Sequence, residues 1–115
     1  MRGPLALLAL IVATPAIAEP AIEILSEPVK NGYALSLIAR TDVAFTGRAS
    51  MEIDRRGEAG IARTRQGGTL DLAPGETAVV ARSQLSFGKN DTLDVVAILY
   101  DDTGREIARE DLRLD

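Results

Sequence analysis

The stretch Thr92-Leu93-Asp94-Val95-Val96-Ala97-Ile98-Leu99-Tyr100 decides the fold. Val, Ile, Leu and Tyr fit a pleated surface, and no Gly or Pro interrupts them, so the segment is a β-strand. Side chains alternate between the faces of a strand. Leu93, Val95, Ala97 and Leu99 therefore lie opposite Val96, Ile98 and Tyr100. Both sides are apolar, which predicts a strand buried on both faces at the centre of a sheet.

Working outward, Asp101-Asp102-Thr103-Gly104 supplies the residues of a tight turn and predicts a hairpin into a last strand, Arg105 to Leu114. Ile107 and Leu112 cannot share a face of an unbroken strand, so a bulge or bend is expected near Arg109 to Asp111. Upstream, Thr77 to Phe87 reads as one long strand or a strand that switches sheets. It follows the turn Ala73-Pro74-Gly75-Glu76, where Pro presets the second position.

Ile61 to Gln66 is expected to end at Gly67-Gly68, with a separate short piece over Thr69 to Leu72. Arg48 to Asp54 points Met51 and Ile53 inward and Glu52 and Asp54 outward, before Arg56-Gly57-Glu58 turns the chain. Tyr33 to Arg40 follows the turn pair Asn31-Gly32, and Ala21 to Leu25 comes first, closed by Glu27-Pro28. Helical periodicity is nearly absent. About seven short antiparallel strands joined by tight turns predict an all-β chain, an immunoglobulin-like β-sandwich, with a small up-and-down β-barrel as the alternative.

The N-terminus has the pattern of a secretory signal: Met1-Arg2-Gly3 is positive, Leu5 to Ala13 is apolar, and Ala16-Ile17-Ala18 is an Ala-x-Ala cleavage site. A membrane anchor needs about 20 apolar residues, and this stretch is shorter and flanked by Pro4 and Pro15. Cleavage is expected after residue 18. It leaves residues 19–115 as one domain, most simply a monomer, with no stable membrane insertion. No Cys follows the site, which excludes a bacterial lipoprotein.

Composition narrows the chemistry. The 115 residues include no Cys, His or Trp, so there is no thiol nucleophile, no disulfide, no Ser-His-Asp triad and no ordinary zinc site. An enzyme is not expected, and neither is a cofactor. Thirteen Lys and Arg against seventeen Asp and Glu argue against a nucleic-acid partner, whose phosphates call for a basic surface. Asp102-Thr103-Gly104 matches the triplet of retroviral-type aspartic proteases, but it lies too close to the C-terminus for the flap and core strands that should follow, and it reads as the hairpin turn. Asp101 and Asp102 are adjacent and would diverge on a strand, and no calcium-loop pattern is present. Gly67-Gly68 lacks the Lys-Ser/Thr and helix of a phosphate loop.

Charge is unevenly spread. Arg40, Arg48, Arg55, Arg56, Arg63 and Arg65 meet only four acids in the same stretch, whereas residues 91–115 hold eight acids against three bases. Two readings of the arginines stay open. Glu52 and Asp54 could pair with Arg63 and Arg65 as a solvated cross-strand ladder. Alternatively, the arginines line a sheet face or edge that attracts an acidic or amide-rich partner and discourages unwanted edge pairing.

Gly47-Arg48-Ala49-Ser50-Met51-Glu52-Ile53, Thr64-Arg65-Gln66-Gly67-Gly68 and Leu72-Ala73-Pro74-Gly75-Glu76, placed behind a secretory signal, resemble the CsgH branch of the CsgC/CsgH family of periplasmic curli-assembly chaperones. The resemblance runs from about Ile22 to the last strand. It implies an immunoglobulin-like sandwich in the periplasm that keeps the amyloidogenic curli subunit, its protein client, from polymerising early. CsgC-type members carry a Cys-x-Cys pair that this chain lacks, so only the chaperone role carries over. Within that role, Arg55, Arg56, Arg63 and Arg65 are the expected client-binding charges, and Met51 and Ile53 are expected in the core. The competing expectation is a non-catalytic envelope protein-binding or adhesion module on the same fold.

Overall fold

The computed structural model describes residues 20–58 and 60–115, and the expected signal peptide at residues 1–18 lies outside them. Seven strands follow one another: β1 (Ala21–Val29), β2 (Gly32–Arg40), β3 (Phe45–Gly57), β4 (Gly60–Leu72), β5 (Thr77–Ser86), β6 (Thr92–Asp101) and β7 (Glu106–Leu114). They form two antiparallel sheets, one of order β1-β2-β5 and one of order β4-β3-β6-β7. This is the immunoglobulin-like sandwich. The barrel alternative is overturned, because among the described residues β1 and β5 pair only with β2, while β4 and β7 are the outer strands of the other sheet.

The core lies between the sheets and follows strand parity. Leu35, Leu37 and Ala39 of β2 face Ala49, Met51 and Ile53 of β3 and Leu93, Val95, Ala97 and Leu99 of β6, and all are essentially sealed from solvent. Met51 and Ile53 take the expected core positions. The central strand β6 is a correction in part. It is interior to its sheet, but only its inner face is buried; Val96, Ile98 and Tyr100 are half-exposed, because no second layer among the described residues covers that side.

Other expectations shift. Glu27-Pro28 does not close the first strand: Glu27 pairs with Ala34 and Pro28 with Tyr33, and β1 continues to Val29. Gly67-Gly68 does not break the chain: Gly67 pairs with Ser50 and Gly68 with Ala49, and β4 continues to Leu72. Gly67 permits this continuity, since a Cβ there would collide with the Ala49 carbonyl oxygen. The bulge in β7 lies nearer the strand's start than Arg109–Asp111. Leu99 pairs with Ala108 and Tyr100 with Glu106, so Ile107 is the extra residue and the parity conflict with Leu112 is resolved there. β5 stays in one sheet throughout and carries its own irregularity at Val80, between the pairs Leu37–Ala81 and Ile38–Val79.

The crossovers are tied together by hydrogen bonds. Thr41, buried and polar, donates from Oγ1 to the Val43 carbonyl at 2.7 Å. Its backbone carbonyl accepts from Gly75 N at 2.9 Å, joining the β2–β3 and β4–β5 connections. Pro74-Gly75 forms the expected turn, with Gly75 at φ 79° and Glu76 N donating to the Ala73 carbonyl at 3.0 Å. The Asp101–Gly104 hairpin is likewise present, with Gly104 N on the Asp101 carbonyl at 3.0 Å.

Candidate functional site

The outer face of the four-stranded sheet gathers most of the singled-out residues. β3 contributes Arg48, Ser50, Glu52, Asp54 and Arg56 to this face, and the register sets beside them Thr69, Gly67, Arg65, Arg63 and Ile61 of β4. On the other flank, Tyr100, Ile98, Val96, Asp94 and Thr92 of β6 stand opposite the same five β3 residues. The face is a grid whose rows can be read from the pairing.

Ion pairs occupy one end of the grid. Arg63 donates to both oxygens of Asp54, at 2.6 and 3.2 Å, and Arg56 Nη2 lies 3.7 Å from the same carboxylate. Arg65 donates to Glu52 at 3.1 Å. The hydrogen bond from Arg63, helped by the nearby charges of Arg63 and Arg56, holds the Asp54 carboxyl below its ordinary value. The cross-strand ladder is therefore real. It does not consume the arginines, however: their side chains are 56%, 60% and 73% exposed for Arg56, Arg63 and Arg65. Three arginines face two carboxylates, and the surplus is positive.

β4 is an edge strand, so Arg63 and Arg65 stand beside a row of backbone groups that no other strand of the described residues covers, and Arg56 lies one strand further in, on β3. Lysines and arginines on such an edge suppress indiscriminate pairing while leaving the edge open to a partner of opposite charge. Ile61, 67% exposed, lies in the same row of side chains at the hairpin end.

Arg55 is not on this face. It has the parity of Met51 and Ile53, and its Nη1 donates to the carbonyl oxygen and hydroxyl of Ser86 in the opposite sheet, each at 3.1 Å. The structure thus brings Arg56, Arg63 and Arg65 together and sets Arg55 apart. Arg48, absent from the expected group, completes the face: its guanidinium sits over the Tyr100 ring, 5.0 Å from the centroid. Its outward parity was readable from the chain. Its neighbour Tyr100 was not, because that contact depends on the β3–β6 register.

The Asp101–Gly104 segment behaves as a turn. Asp101 Oδ1 accepts from Thr103 Oγ1 at 2.6 Å, Thr103 N at 2.9 Å and Arg105 N at 3.0 Å. These bonds, the Thr103 hydroxyl foremost, hold its carboxyl below the ordinary range. Among the described residues no three acids converge as a metal site would require. A hollow of about 580 Å³ is lined by Pro20, Phe45 and Ile107 with Asp101, Arg105 and Glu106. Its charged groups are already engaged, Arg105 with Asp101 at 3.6 Å and Glu106 with Arg109 at 2.9 Å.

No family model matches the chain, and no curated protein matches it. Solved structures do. The chain is similar to the curli protein CsgC of E. coli, with a TM-score of 0.69 at 16% identity, over 81% of this chain and 97% of that one. It is also similar to the solution structure of CsgH from R. palustris, with a TM-score of 0.62 at 15% identity, over 81% of this chain and 92% of that one. The fold of this chain is the fold of the CsgC and CsgH structures.

Proposed function

We propose that this protein is a non-catalytic periplasmic chaperone that keeps an amyloidogenic curli subunit from polymerising, through transient and partly electrostatic contact with the subunit's β-forming segments. The observation that carries the reading is the placement of exposed Arg63 and Arg65 on the open edge strand β4, with exposed Arg56 beside them on β3. The shared fold with a curli protein supports it.

The mechanism follows from the physics of amyloid growth. A fibril lengthens by adding strands to a free edge, and its segments are rich in β-propensity and low in charge. A soluble domain with an open edge can engage such a segment by strand addition. The arginines on that edge raise the encounter rate with a client of opposite local charge, and salt weakens the attraction. They also leave any complex charged, which disfavours growth of a second layer on it. Arg55 serves this reading only indirectly, by fixing the end of β3 to the other sheet.

The test is the lag of polymerisation of a purified curli subunit, followed by dye fluorescence, with this protein added well below one-to-one. A longer lag that shrinks towards the control as salt is added supports the reading. An unchanged lag, or full inhibition by a variant with Arg56, Arg63 and Arg65 all replaced by Ala, refutes it.

A further inference from the structure

A hollow on the outer face of the four-stranded sheet is left over once the ion-pair ladder is described. A cavity of about 170 Å³ lies between Arg48 with Tyr100 and Arg65 with Glu52, over Ser50, Val96 and Ile98. A second, about 220 Å³, continues past Ser50 to Gly67 and Gly68, again between Arg48 and Arg65. The register explains the opening: Gly67, Ser50 and Ile98 form one row across β4, β3 and β6, and the first two have almost no side chain to fill it. The groove therefore opens at the β4 edge.

Its charge is specific. Arg65 is matched by Glu52 at 3.1 Å, and Arg109, next along the same row on β7, by Glu106 at 2.9 Å. Arg48 has no carboxylate at ion-pair distance among the described residues, and its guanidinium is held over Tyr100 instead. The inner cavity is well below the roughly 300–1,000 Å³ of small-ligand pockets, so it suits one side chain rather than a whole small molecule. A strand added to β4 would lie about 4.8 Å from it. The residue of that strand opposite Gly67 would meet no side chain on β4 and could lie across towards Ser50.

We propose that the free edge of β4 accepts an extended segment of a protein partner in a register set by Gly67, with an acidic side chain of that segment lying over Gly67 and Ser50 against Arg48. This rests on the reading of the partner as a protein with β-forming segments, and adds a place, a register and a side-chain class. Charge complementarity selects the acid: when the Arg48 guanidinium swings from Tyr100 across Ser50 towards β4, a carboxylate reaching over Gly67 supplies it with the charge-assisted hydrogen bonds that it otherwise lacks. A Lys at that position would place two cations together.

The test uses three acetylated, amidated nonapeptides of alternating Thr and Ser that differ only in a central Glu, Gln or Lys, titrated into the ¹⁵N-labelled protein. The Glu peptide is expected to shift the amide resonances of Gln66, Gly67, Gly68 and Arg48 and to bind about tenfold more tightly than the Lys peptide. Arg48→Gln, an exposed substitution whose amide spectrum should otherwise match the parent, is expected to abolish that preference, and Arg48→Lys to keep part of it. Equal affinity for the three peptides, shifts confined to β1, β5 or β7, or a preference that survives Arg48→Gln would overturn the proposal. So would β4 shifts that grow with protein concentration alone, which would assign the edge to a second copy of the chain. The polymerisation assay is independent: binding at β4 without any effect on the curli subunit sinks the proposed function and leaves this site standing, and inhibition without binding at β4 does the reverse.

Discussion

Arg55 of β3 donates from one guanidinium nitrogen to both the carbonyl oxygen and the hydroxyl of Ser86 on β5, each at 3.1 Å. The two residues belong to different sheets, so the contact is a polar bridge between layers, two residues beyond Ile53, the last fully buried position of β3. Arg55→Ala is expected to lower stability by about 1 kcal/mol, the scale of hydrogen bonds from a charged donor discounted for exposure. In urea unfolding the midpoint should fall with an unchanged slope. Arg65→Ala should move the midpoint less, because exposed ion pairs contribute little. The polymerisation lag should respond in the opposite order, to Arg65 and hardly to Arg55. An Arg55→Ala protein as stable as its parent would remove the bridge.

Gly67 and Gly68 are neighbours with different constraints. A Cβ on Gly67 would collide with the Ala49 carbonyl oxygen and sit 2.9 Å from Ser50 Cα, whereas one on Gly68 meets nothing within 4 Å. Gly67→Ala should therefore cost about 1–3 kcal/mol, as forced crowding against backbone does. Gly68→Ala should stay within about 0.5 kcal/mol of the parent. Denaturant midpoints of the two variants decide it. Equal losses would mean that β4 is not seated on β3 as described.

The same pair shows where the chain's own text runs out. Alternation is a property of one strand, so the inner faces of β2, β3 and β6 can be read directly from Leu35-Leu37, Met51-Ile53 and Leu93-Val95-Ala97-Leu99. Gly-Gly is ordinary punctuation for a turn, and only the close approach of Ala49 reveals that this one lies within a strand. Register is a property of two strands. The ladder of Arg63 and Arg65 with Asp54 and Glu52 was legible because β3 and β4 join in a short hairpin that nearly fixes their pairing. Arg48 over Tyr100 was not, since residues 58–91 separate β3 from β6. Arg55 shares its parity with Met51 and Ile53, but its charge suggested a surface role until Ser86 appeared across the layers.

Leu99 and Ile98 test the one-sided burial of β6. Leu99 is sealed in the core, and Ile98 faces outward and is half-buried. Leu99→Ala should cost about 2–5 kcal/mol, as core truncations do, and Ile98→Ala about 1 kcal/mol, the share left by partial burial. Similar losses at both positions would restore the reading of a strand buried on both faces and place a second layer, or a partner, over the outer side.

Acid should unfold this protein through identifiable groups. Asp54, Asp101 and Glu106 all have carboxyls held below their ordinary values, by hydrogen bonds from Arg63, from Thr103 and from Arg109 respectively. A carboxyl with a lower pKa in the folded than in the unfolded chain leaves the unfolded state binding more protons in the window between the two values. Stability therefore falls as pH drops through that window. The contribution is complete above the unfolded values, about 3.9 for Asp and 4.3 for Glu, and is lost progressively beneath them. With neither His nor Cys in the sequence, no side chain at its ordinary pKa titrates between about pH 5.5 and 7. The urea midpoint should be flat across that interval and decline below about pH 4.5. Asp54→Asn should make the decline shallower and leave the interval flat. A midpoint that changes between pH 5.5 and 7, or that holds steady down to pH 3, would contradict this account of what the carboxylates contribute.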